Sequence, residues 1–157
     1  GLWATLVYFP VASWVFNFKL DGSGKVVDGG WLVNQVGALD FAGLTSAVEA
    51  AAANLGLGAD VRQTDSESEL IGWIHEAVDA KQNVILNPAA FTHYSYALRD
   101  AAVQITKAGL KLIEVHLSNP HTREEFRHKS VISGVATGVI AGFGVDSYLL
   151  ALTQLAA

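Results

Sequence analysis

Asn83-Val84-Ile85-Leu86-Asn87-Pro88-Ala89-Ala90-Phe91-Thr92-His93 decides the fold of this chain. A short apolar run that ends at a proline reads as a strand buried on both faces, followed by a loop. The pattern returns further on. Lys111-Leu112-Ile113 leads into Glu114-Val115-His116-Leu117-Ser118-Asn119 and then His121-Thr122-Arg123-Glu124-Glu125-Phe126-Arg127-His128. Between the two, a helix starting at His93 or Tyr94 runs to Ala108 and stops at Gly109. Strand, helix and strand in that order make a βαβ unit with parallel strands. Ligands in open α/β sheets bind where strands end, so both polar clusters are candidate site segments.

The same alternation extends in both directions. Residues 44–55 are alanine-rich and helical, stopped by Gly56 and Gly58, and residues 59–63 read as a short strand. Thr64-Asp65-Ser66 offers capping side chains to a helix over 67–80, with Leu70, Ile71, Ile74 and Val78 on one face. Residues 110–115 form a strand, 118–130 a polar loop, 138–141 a strand and 145–155 a closing helix. With residues 4–8 as the first strand, five strands alternate with five helical segments. The economical architecture is α/β: a flavodoxin-like, doubly wound five-stranded parallel sheet in three α/β/α layers. Residues 1–157 make a single domain. Residues 1–42 are its atypical part, a strand plus a loop rich in turn chemistry at Asp21-Gly22-Ser23-Gly24 and Asp28-Gly29-Gly30. A loop there hangs over the sheet end that carries the two clusters, where a lid belongs.

Composition narrows the function classes. The net charge of −5 disfavours a nucleic-acid partner, which needs a basic face. Cysteine is absent, which removes a disulfide framework, a thiolate nucleophile and a cysteine-based zinc site. A cytoplasmic protein fits this usage. Residues 1–18 carry no charge, yet no basic segment precedes them and Pro10 interrupts them. They read as a buried strand and an apolar loop, not as a leader or a membrane segment.

Glu114 and His116 are two apart at a strand end, so they share one side of the strand. A carboxylate beside an imidazole fixes its tautomer and favours its charged form, which suits general acid work; the competing reading is a structural ion pair. Asn87 either holds a substrate hydroxyl or water, or bonds its own backbone as turn asparagines do. His93 either faces the cleft or caps a helix. The N–H groups of Leu117 and Ser118 suit an anion nest. Arg127 is the preferred charge partner for such an anion, because Arg123 stands next to Glu124 and Glu125 and pairs with them. The spacing of His116, His121 and His128 matches no zinc pattern, so no metal is expected. Gly142-Phe143-Gly144-Val145-Asp146-Ser147 has no third glycine and no room for a distant acidic partner, so it reads as close packing of helix on sheet, not as a dinucleotide loop.

These motifs resemble those of type II 3-dehydroquinate dehydratases. The likeness spans about residues 44–157 and includes Val61-Arg62-Gln63-Thr64-Asp65-Ser66-Glu67, Trp73-Ile74-His75-Glu76-Ala77, Ala97-Leu98-Arg99-Asp100-Ala101 and Gly138-Val139-Ile140-Ala141-Gly142-Phe143-Gly144. The resemblance implies a cofactor-free trans dehydration of 3-dehydroquinate to 3-dehydroshikimate through an enolate, in shikimate or quinate metabolism. It implies that His116 is the general acid, that Glu114 orients it and that Asn87 holds the water that steadies the enolate. By the same resemblance His93 and Arg127 bind ring hydroxyls, and Leu117 and Ser118 hold the substrate carboxylate. Asp100 would reach a neighbouring subunit's site in a homo-oligomer of trimers assembled into a dodecamer.

The first forty residues depart from that family's pattern. The family carries a lid with Arg-x-Pro-x-x-Tyr-Gly, whose tyrosine removes the proton. One register places Trp31 and Val36-Gly37 there, another Phe18 and Ser23-Gly24; neither supplies the base. No arginine precedes Arg62, and Tyr8 is the one early tyrosine. Two functions follow as expectations. The first is the lyase, with Tyr8 as one possible base. The alternative is a catalytically impaired homologue that binds or assembles on the same scaffold.

Overall fold

The structure, a computed structural model, describes residues 40–157 in full. Of the preceding chain it describes the backbone of three strands: β1 (Leu2–Tyr8), β2 (Lys19–Leu20) and β3 (Val26–Asp28). Pro10, Phe18, Ser23, Gly24, Trp31, Val36 and Gly37 lie outside the described residues, and so does most of the expected lid. The remaining elements are α1 (Phe41–Asn54), β4 (Leu57–Gln63), α2 (Glu67–Asp79), β5 (Asn83–Leu86), α3 (Tyr96–Lys107), β6 (Leu112–His116), β7 (Gly138–Ala141) and α4 (Asp146–Ala156). Four α-helices are present among the described residues where five helical segments were expected. Short 3-10 turns account for the other helical character.

The main sheet is parallel, in the order β4-β1-β5-β6-β7. β2 and β3 form a separate antiparallel pair. Alternation along the strands splits the core in two. Ile85, Ile113 and Val115 face α1 and α4, meeting Leu44, Val48, Tyr148, Leu152 and Leu155. Val84, Leu86 and Leu112 face α2 and α3, meeting Leu70, Ile74, Leu98 and Ile105. Val84, Ile85 and Leu86 have no exposed surface, which explains why β5 reads as an unbroken apolar run. Full burial of each such side chain stabilises the fold by about 1.5–3 kcal/mol.

Side-chain caps set three helix starts. Asp40 Oδ1 accepts the Gly43 N–H at 2.8 Å, Ser66 Oγ accepts the Glu69 N–H at 3.3 Å, and Ser95 Oγ accepts the Leu98 N–H at 2.9 Å. The last of these corrects the expected start of α3. The helix begins at Tyr96 because residues Ala89–His93 form a 3-10 turn and Ser95 is the cap. Ser95 also donates to Glu67 in the first turn of α2, so the two helix starts are tied together. The 3-10 turn follows β5 directly and meets β6 through the bond from Thr92 to Glu114.

Candidate active site

Glu114 has no exposed surface, although it lies on the α2/α3 face of β6 in line with Leu112. A buried carboxylate needs donors. It has three close ones: Thr92 Oγ1 (2.5 Å) and His116 Nε2 (2.8 Å) on Oε1, and Ser133 Oγ (2.5 Å) on Oε2; Ser130 Oγ stands further off, at 3.3 and 3.4 Å from the two oxygens. Burial pushes the Glu114 carboxyl up. The His116 bond and charge, with the Ser133 and Thr92 hydroxyls, outweigh it and hold the group below its ordinary range. His116 lies on the same side of β6, as the spacing of two required, and its side chain is 12% exposed. The ring therefore bridges a dry carboxylate and the sheet end.

Two segments close over this pair. Val131 N–H donates to Thr92 O at 2.7 Å, and His93 Nδ1 lies 2.7 Å from Lys129 O, so Nδ1 carries a proton. His93 is half-buried. Burial lowers its pKa, the Lys129 carbonyl works the other way, and the nearby Arg127 and His116 charges lower it further. Phe126 meets the His93 ring edge-on at 5.5 Å between centroids.

Arg127 and Arg123 share Glu124. Arg123 pairs with Glu124 as its position suggested, but Arg127, preferred for an incoming anion, pairs with the same carboxylate more closely. Its Nε donates to Glu124 Oε2 at 2.7 Å, against 3.6 Å for Arg123. The reason is the 3-10 turn Glu125–His128, which brings residues 124 and 127 together, as the Arg127 N–H to Glu124 O bond shows (2.8 Å). Arg127 also lies over the Phe126 ring at 4.6 Å. The pairing holds the exposed Glu124 carboxyl down to about 2, chiefly through the Arg127 hydrogen bond. Arg127 thus keeps a fixed pose without being sealed from a ligand.

Asn87 makes the bond of the turn reading. Its Oδ1 accepts the Ala89 N–H at 3.1 Å, the turn bond, and its Nδ2 donates to the Tyr148 hydroxyl at 2.9 Å. These bonds use one of two amide hydrogens and one of two carbonyl lone pairs. The turn holds Ala89 at a φ of 48°, in the left-handed region that suits glycine. Ala89→Gly is therefore expected to stabilise the protein by about 0.5–1 kcal/mol, after the extra entropy of an unfolded glycine is offset. Thermal unfolding checks this: the midpoint should rise by a few degrees, and a fall would contradict the strain.

Leu117 and Ser118 leave β6 at the sheet end. The Leu117 carbonyl accepts the Gly144 N–H at 2.9 Å, and the His116 carbonyl accepts the Gly142 N–H and the Ser147 hydroxyl, both at 3.1 Å. The Ser147 bond ties α4 to β6, so residues 142–147 do pack the helix closely on the sheet. Both glycines have positive φ (94° and 58°), and a Cβ on Gly142 would lie 3.3 Å from Asn119 Cβ in the loop after β6. They form a turn wrapped against that loop. Asp100 is away from the pair, with its side chain 76% exposed and bonded to Arg99 Nη1 at 3.1 Å. The rings of His121 and His128 are 5.4 Å apart. Among the described residues no three His, Asp, Glu or Cys side chains group as metal ligands, and no described helix is long and apolar enough to cross a membrane.

Ser130, Ser133 and Tyr148 were not singled out from sequence. Only the need of a buried carboxylate for donors pointed to hydroxyls, and it did not say which. The arrangement as a whole offers an acid with a tuned partner, a fixed guanidinium and a second imidazole at one sheet end.

Comparison with known proteins agrees with these motifs. The model of the family "Dehydroquinase class II" matches residues 32–156. A 3-dehydroquinate dehydratase of Mycobacteroides abscessus is 59% identical over 121 residues, 77% of this chain and 82% of its own length. The crystal structure of a type II dehydroquinase from Propionibacterium acnes superposes with a TM-score of 0.79 at 38% identity, covering 99% of this chain and 98% of that one. A type II dehydroquinase from Butyrivibrio crossotus gives a TM-score of 0.81 at 28% identity, with the same coverage.

Proposed function

The chain belongs to the class II dehydroquinase family, and from that premise we propose how its residues carry the reaction. It is a lyase that dehydrates 3-dehydroquinate. In the proposed sequence a base removes a proton beside the ketone, leaving an enolate. The enolate then expels the hydroxyl β to the carbonyl, and His116 protonates it so that it departs as water. The observation that carries this reading is the 2.8 Å bond between His116 and the buried Glu114 carboxylate. Glu114 orients the ring through that bond.

Asn87 keeps an amide hydrogen for the water that steadies the enolate. Leu117 and Ser118 supply N–H groups to the substrate carboxylate, and His93 and Arg127 bind ring hydroxyls. β1 ends at Tyr8, one residue beyond the Val7 that pairs with Leu86, so its backbone reaches the sheet end from which Asn87 departs. That placement makes Tyr8 our candidate base. The scaffold is read as flavodoxin-like and doubly wound, in three layers. We place the enzyme in the cytoplasm and without a cofactor, in shikimate or quinate metabolism. Its trimers assemble into a dodecamer in which exposed Asp100 reaches a neighbour's site.

The test is a dehydratase assay with 3-dehydroquinate, following the conjugated-enone absorbance of the product, on the wild-type chain and on Tyr8→Phe. Turnover that Tyr8→Phe loses assigns the base, and turnover that it keeps removes Tyr8 from the role. Wild-type binding without turnover selects the impaired homologue instead. Arg127→Ala is expected to raise KM at least about tenfold with a smaller change in kcat, since it removes a charge-assisted bond made in the ground state as well. Steady-state kinetics decide this; an unchanged KM takes Arg127 out of the binding set.

A further inference from the structure

Each proton in the hydroxyl cluster around Glu114 can be placed by counting. Ser130 Oγ accepts the N–H groups of Ile132 (3.0 Å) and Ser133 (2.8 Å). Those bonds occupy both lone pairs, so the single hydroxyl proton must be donated. Thr92 Oγ1 is the nearest acceptor at 2.7 Å, while the Glu114 oxygens lie at 3.3 and 3.4 Å. Having accepted that proton, Thr92 gives its own to Glu114 Oε1 at 2.5 Å. The same oxygen faces His116 Nε2 at 2.8 Å, and Oε2 takes the Ser133 hydroxyl at 2.5 Å. A carboxylate so surrounded only accepts. The proton between it and His116 therefore sits on Nε2, and in the doubly protonated ring the second proton, on Nδ1, is the one available to the reacting hydroxyl.

We propose that Thr92, backed by Ser130, is a positioning residue for the dehydration: it holds Glu114 as a pure acceptor and so keeps one ring proton of His116 on Nε2, which leaves the Nδ1 proton of the doubly protonated ring as the one given to the reacting hydroxyl. This rests on the lyase reading above, which makes His116 the acid. The groups that face Glu114 are His116 on its own strand, Thr92 and His93 on the 3-10 turn, and Ser130 and Ser133 on the following loop. Arg127 acts at one remove, beside His93. Thr92 is buried, and its carbonyl, which accepts from Val131, does not depend on the hydroxyl.

The experiment compares wild type, Thr92→Val, which keeps the volume and deletes the hydroxyl, and Thr92→Ser, which restores it. The full chain carries 15N-labelled histidine, and the His116 ring nitrogens are titrated alongside kcat and KM. Wild type should show the Nε2–H tautomer. In Thr92→Val the tautomer should become mixed, and kcat should fall about tenfold with KM within about twofold. The acid limb of the kcat profile should move up by about one pH unit, because the carboxylate loses a strong donor. Thr92→Ser should return both signals to wild type. Wild-type nitrogen shifts and an unmoved profile in Thr92→Val overturn the proposal. Should Thr92→Val not fold, Ser130→Ala reads the same two signals. If the wild-type chain does not turn over 3-dehydroquinate, the lyase reading fails, and the nitrogen shifts still decide the hydroxyl chain.

Discussion

Replacing His116 by alanine is expected to lower the turnover of 3-dehydroquinate by about 10²–10⁴-fold while the protein stays folded. The loss is large because the leaving hydroxyl must depart with a proton, and this imidazole is hydrogen-bonded to a fully buried carboxylate at the sheet end. The fold should survive because the strand does not depend on the ring. The His116 carbonyl still accepts from Gly142 and Ser147, and Glu114 keeps its Thr92 and Ser133 hydroxyls. Enone absorbance gives kcat, circular dichroism reports the fold, and KM should stay within a few-fold. Unchanged turnover would remove His116 from the acid role.

Glu114→Ala should be the most damaging single change to the folded state. It leaves the donors of Thr92, Ser133 and His116 facing a cavity, at a cost of about 3–5 kcal/mol. Turnover should fall with it, since nothing then fixes the ring. The pH dependence has a definite sign. The folded carboxyl sits below its ordinary value of 4.5. Its stabilising contribution is therefore complete above that value and fades as pH falls through the lower folded one. Glu114→Gln has no carboxyl to titrate there, so its melting temperature should fall less steeply than wild type's on acidification. Parallel slopes in thermal melts between pH 7 and 3 would show that Glu114 does not couple to the fold in this way.

The parallel α/β arrangement was legible because its signals are local. The apolar run of β5 and the capping residue Ser66 state their roles within a few positions. The Glu114–His116 pair was legible for the same reason, since period two places both on one side of β6. The hydroxyl set was not. Ser130 and Ser133 meet Glu114 only through a loop closure sixteen and nineteen residues away, and an isolated serine in a polar loop carries no sign of burial. Arg123 and Arg127 were assigned by spacing alone. The choice between them turned on a 3-10 turn, which brings residues 124 and 127 together. The start of α3 was misread because helical character in Ala89–His93 continues the pattern of the helix proper, and the break between them is a matter of backbone angle.

The strand order has a consequence for the growing polypeptide. β1 is made first among the strands of the main sheet, yet it lies in the interior, with Leu6 opposite Val61 on one side and Ile85 on the other. Neither backbone edge of β1 can be satisfied until β4 and β5 have left the ribosome. At about 5–20 residues per second that wait lasts several seconds. Until then an uncharged segment keeps at least one open edge available to other nascent chains, and both until β4 is made. The longer translation takes to pass from residue 8 to residue 86, the longer that exposure lasts, whatever the stability of the finished sheet.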